Sequence, residues 1–145
     1  MMATISAAID AQLATISFDP ARIAFLNVVF QPVAGRPYLR ASMPSLTRKA
    51  LTMGADRLTG IGGAGATVQW DGVYEVDAVW PTNAGSDGCS QMEDTIMRLF
   101  PRGLTLNTTD GIFVHFDTPT PLPPRPDGDW YRGCVRCPWW ALEEI

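Results

Sequence analysis

The chain has 145 residues, 46% hydrophobic and 18% charged, with a formal net charge of −4 from 15 acidic and 11 basic residues. That length suits a single domain with a proper core, and the hydrophobic share excludes a disordered chain. The acidic balance, with no basic run longer than Arg48-Lys49, excludes a protein that grips nucleic acid by neutralising phosphates.

Residues 4–16 place Ile5, Ala8, Ile9, Gln12, Leu13 and Ile16 at helical spacing, which predicts an amphipathic helix with Thr4 or Ser6 as N-cap, ending before Pro20. Prolines 32, 37 and 44 forbid a long helix in the next segment, and the alternation from Tyr38 to Met43 predicts a first strand, at an edge because prolines flank it. Leu46 to Thr59 has no pattern and reads as irregular, opening a long loop over about 46–66. Val68, Trp70, Gly72, Tyr74, Val76, Ala78 and Trp80 share one parity and Gln69, Asp71, Glu75 and Asp77 the other, the signature of a strand with one dry and one wet face. Gly72 inside it predicts a bulge or a close approach by another backbone.

Cys89, Met92, Ile96, Leu99 and Phe100 recur at helical spacing, with Ser90 and Glu93 spaced as a capping box and Pro101 and Gly103 as stops. "LTLNTTDGIFVHFD" predicts a hairpin turning at "TTDG", with Ile112, Val114 and Phe116 inward and His115 outward. The proline-rich "TPTPLPPRPDGD", residues 118–129, predicts a stiff connector without sheet hydrogen bonds, a loop over about 118–128. Trp130 to Trp140 predicts a last strand. The order α-β-β-α-β-β-β predicts an α+β fold, a mostly antiparallel β-sheet with two α-helices packed on one face, forming a single domain over 1–145.

Chemistry is poorly supplied. "GIGGAG", Gly60 to Gly65, has the letters of a dinucleotide fingerprint, yet that turn requires a strand before it and a helix after it. Here "MGADRLT" precedes and a strand comes after, and no Gly-Lys-Ser or Gly-Lys-Thr is present, so the stretch reads as an inter-strand loop. Cys134-x-x-Cys137 lies in a predicted strand, where positions three apart diverge, and an odd count of three cysteines argues against a disulfide framework. The single histidine has no exposed-serine turn to work with, and Glu93-Asp94 and Glu143-Glu144 read as solvated charge on helix surface and tail. The expectation is no enzyme, no metal and no cofactor. No segment approaches the ~20 apolar residues of a membrane span, and residues 1–16 lack the basic stretch and apolar core of a signal peptide, so a soluble chain made in the cytoplasm is expected.

The order of landmarks resembles the tail terminator (tail completion) proteins of long-tailed bacteriophages, the minor tail protein U-like group. The matching positions are Asn27, Phe30 and Pro32, then the "PYLR" strand Pro37 to Arg40, then Gly72, Tyr74, Val76 and Pro81, with Ala78 where a second valine is expected. Phe100 and Gly103 at a helix end and a tryptophan-bearing last strand complete the series. The resemblance implies a structural virion protein, a homo-oligomeric ring, hexameric in that group, capping the head-proximal end of the tail tube. It implies assembly in the host cytoplasm, contacts with the tail tube protein and the neck (head-tail connector) proteins, and DNA crossing the lumen without specific binding. The alternatives are a head-tail connector or stopper protein and a small ligand-binding domain. Gly60, Gly62, Gly63 and Gly65 in one loop, and Pro119, Pro121, Pro123, Pro124 and Pro126 in the other, are the candidate contacts to subunit or tube.

Overall fold

The computed structural model describes residues 2–26, 28–50 and 67–144. Seven strands form one sheet: β1 (Ile23–Ala24), β2 (Tyr38–Ala50), β3 (Thr67–Pro81), β4 (Thr105–Asn107), β5 (Phe113–Phe116), β6 (Thr120–Asp127) and β7 (Trp130–Glu144). Their order is β1-β2-β3-β7-β5-β4, with β6 also on β7; every pairing is antiparallel except β1 with β2. β7 pairs with β3 along its whole length, while its other edge is shared between β6 over residues 130–136 and β5 over 139–141. Helices α1 (Met2–Leu13) and α2 (Asp87–Leu99) complete the α+β fold.

The two-residue period of β3 sorts the sheet into faces. Tyr74, Val76 and Ala78 are fully buried, as are Val135 and Cys137 opposite them on β7, and Val114, Phe116, Trp139 and Ala141 continue that inner layer. Onto it pack Ile5, Ile9 and Leu13 from α1 and Cys89, Ile96 and Phe100 from α2, so both helices share one face. Tyr74 donates a 2.8 Å hydrogen bond to Asp10 Oδ1 on α1. Burial raises the Asp10 carboxyl, against the lowering effect of Tyr74 and of the Leu26 backbone, and it drives the Tyr74 hydroxyl far above its usual range.

Several expectations change. Thr4 and Ser6 lie inside α1 rather than capping it, and Ile16 is buried in the turn after the helix. β2 runs on through Leu46–Ala50, so the loop expected from residue 46 does not begin there; residues 51–66, with Gly60, Gly62, Gly63 and Gly65, lie outside the described residues. Pro44 sits in a register shift between Ser42 and Ser45, which lets a residue without an N–H stay in a strand. The extra residue thus belongs to β2, and Gly72 is no bulge: a Cβ there would stand 2.5 Å from the Trp139 ring. Gly72→Ala is expected to cost about 1–2 kcal/mol through overpacking, read from urea unfolding; a change below a few tenths would show that the indole moves freely.

The proline-rich stretch is β6, not a connector. A strand with a single neighbour needs only every second N–H, and Thr120, Leu122, Arg125 and Asp127 alternate with Pro121 and Pro126 in register with β7, while Pro123 and Pro124 fill a second register shift. The capping box also dissolves: α2 begins at Asp87 after Ser86, and Glu93, expected on the helix surface, is 4% exposed. Its position belongs to the stripe Cys89, Glu93, Ile96, Phe100, which the helical spacing already implied.

Candidate assembly interface

Away from the helices the sheet presents an outer face whose side chains alternate with the core residues. In its middle, Arg136 donates to Glu75 at 2.7 Å, and Arg132 reaches both Asp77 at 3.1 Å and Asp127 at 2.9 Å. These pairs cross β3, β7 and β6 and line a groove with Arg125, Leu122 and Pro123, so Pro123 of the predicted contact set lies here, on a strand rather than a free arm. Pro119 precedes β6, and Pro121, Pro124 and Pro126 sit along it, with Pro121 and Pro126 exposed. Arg132 ties β6 to β3; R132A is expected to lose about 1 kcal/mol, a modest figure because the pairs are partly solvated, in denaturant unfolding at low salt. Equal stability of the two proteins would remove that role.

Cys134 faces this groove and Cys137 the core, so the strand sends the two sulfurs to opposite sides. Glu75, Asp77 and Cys134 bring ligand atoms within 4.8 Å of one another. Both carboxylates are engaged by arginines, and burial together with Asp77 pushes the Cys134 thiol far above its usual range, so the trio is poorly prepared for a cation.

Farther along, β5 and β7 put Phe113, His115, Trp140 and Leu142 outward. His115 stacks on Trp140 with centroids 4.3 Å apart, and its Nδ1 lies 3.2 Å from Thr105 Oγ1. Phe113 is 53% exposed and Leu142 42%. The hollow beside them is rimmed by Asp110, Glu143 and Glu144.

At the opposite edge, β1 and β2 are parallel, so residues 25–37 must cross over rather than turn back. They do so as a tongue anchored by Phe30 on Tyr38 (5.2 Å), which meets Trp130 edge-on at 5.5 Å. Arg22 donates to the Pro37 carbonyl, and Val28, Val29 and Val33 stay exposed, Val29 at 91%. Of the resemblance landmarks, Phe30 and Pro37 thus belong to the tongue, and Asn27 lies outside the described residues. The sequence signal for the tongue is the missing periodicity of "NVVFQPVAG"; for the Phe113 patch it is the strand parity that turns His115 outward and Phe113 with it.

What this surface offers most plainly is contact area: ion pairs, stacked rings and exposed valines. No described helix is long and apolar enough to cross a membrane. A solved structure that bears no functional name is similar in fold, with a TM-score of 0.68 at 22% identity over 100% of this chain and 97% of that one. No curated protein sequence matches the chain significantly. The phage tail terminator protein family matches residues 4–139, from the first turn of α1 to the buried Trp139 of β7. The chain therefore belongs to the phage tail terminator family.

Proposed function

We propose that this phage tail structural protein forms a ring, most simply a hexamer, that sits on the head-proximal end of the tail tube. There it stops addition of tube protein and presents its other side to the neck. The observation that carries this reading is the family match across nearly the whole chain, residues 4–139. The exposed apolar surface supports it: Phe113, Trp140 and Leu142 on the outer face and Val29 on the tongue are of the kind that a partner covers, and a low charged fraction suits large subunit contacts. The net charge of −4 suits a lumen through which DNA slides, since like charge keeps the phosphate backbone from sticking.

A ring is tested by negative-stain imaging and native mass spectrometry of the full chain with and without tube protein. The expected result is a closed oligomer on one end of each tube and tubes of fixed length. A chain that stays monomeric even on tube ends overturns the ring. A closed oligomer that binds neck proteins but never tubes would make the protein a connector instead.

A further inference from the structure

The large apolar side chains left exposed on the described residues fall mainly into two groups at opposite edges of one sheet. The tongue between β1 and β2 carries Val28, Val29 and Val33; the outer face of β5 and β7 carries Phe113, Trp140 and Leu142. Within one chain the groups lie apart, because β2 and β3 stand between the tongue and the strands that carry the patch. Their surroundings have opposite charge. Residues 20–40 hold three arginines and no carboxylate, with Arg36 and Arg40 exposed beside the tongue. The rim of the other group holds Asp110, Glu143 and Glu144.

We infer that the tongue of one copy docks on the Phe113–Trp140–Leu142 patch of a second copy, with Arg36 and Arg40 meeting the acidic rim. Two different patches make a head-to-tail contact, which leaves each dimer with one free tongue and one free patch and so continues until a ring closes. A self-complementary contact would stop at two copies. Apolar centre, charged rim and stacked aromatic rings are the make-up of a specific protein contact, and the charge of the rim fixes which edge meets which. The inference rests on the ring reading and adds the surfaces that build it.

The test uses two full-length variants, V29D and F113D, each at a well-exposed position, with far-UV circular dichroism to show that both remain folded. Assembly is read by native mass spectrometry and by chemical cross-linking on gels, with and without tube protein. Each variant alone is expected to lose the closed oligomer at least tenfold. An equimolar mixture is expected to yield cross-linked heterodimers, since F113D still offers a tongue and V29D still offers a patch, but no closed ring. If the wild type assembles and either variant assembles as well as it does, the inference falls while the ring stands. If both fail alone and the mixture gives no heterodimer, the patches do not meet each other and the inference falls again. If the wild type never oligomerises, the ring reading itself fails and takes the inference with it.

Discussion

Phe100→Ala is expected to remove about 3–5 kcal/mol of folding stability, a large share of the ~5–15 kcal/mol that a domain of this size holds. Phe100 is completely buried at the end of α2, with Tyr74 at 5.7 Å on one side and Phe116 at 5.3 Å on the other. Those three rings join the helix, the central strand β3 and the short strand β5. Truncation would lose the transfer energy of the ring and leave a cavity that the sheet cannot collapse to fill, because Tyr74 is held by its hydrogen bond to Asp10. Phe100→Leu keeps most of the volume and is expected to cost less than half as much. The check is urea unfolding by fluorescence and circular dichroism, with coincident transitions. A loss below about 1 kcal/mol for the alanine variant would mean that the three rings do not form a packed junction.

The parts of the fold that are legible in the sequence are those where burial and period coincide. β3 alternates dry and wet because α1 and α2 cover one side of it, and α2 shows its stripe for the same reason. β2 beyond Pro44 is hidden because Leu46, on the inner parity, is 40% exposed, so no dry face remains for the sequence to record. β6 is hidden because its prolines argue against ladder donors, and an edge strand needs few of them. The glycine at position 72 signals a close approach, but nothing local announces that the neighbour is the Trp139 ring rather than another backbone. Of the landmarks of the family resemblance, Tyr74, Val76 and Phe100 are core residues that carry the fold and are silent on the contact surface. Phe30 and Pro37 belong to the tongue instead, where Phe30 anchors it on Tyr38. Val29, Phe113 and Trp140 emerge only when their exposure is known.

Glu93 is the clearest case of a residue whose letter misleads, and it sets the second large effect. Its carboxyl lies under Gly133 of β7, where an added Cβ would stand 2.7 Å from Oε1 and 3.0 Å from Cys89 Sγ. It accepts from the Cys134 backbone N–H, at the point where Pro123 and Pro124 interrupt the β6 ladder; Oε2 has no partner. Burial is the main cause that raises its pKa from 4.5 to about 7; the Cys134 hydrogen bond opposes it and the neighbouring Asp94 adds to it. Below pH 4.5 the group is protonated in folded and unfolded chains alike and biases neither. Between pH 4.5 and 7 the unfolded chain ionises first, so stability falls as pH rises, and above pH 7 the loss levels off at about 3 kcal/mol. Glu93→Gln copies the protonated acid, keeping the acceptor for Cys134 and placing an uncharged amide at the unpartnered position. The variant is expected to match the wild type near pH 4.5 and to exceed it by up to about 3 kcal/mol at pH 8, measured by urea unfolding across that range. Parallel pH profiles for the two proteins would show that the buried carboxyl is already satisfied as an anion. Glu93 meets β7 from the helix side at Cys134, and Arg132 ties the same stretch to β3 and β6 from the outer side through Asp77 and Asp127. Combining E93Q with R132A at pH 8 is expected to depart from the sum of the gain and the loss, because both act on one stretch of β7.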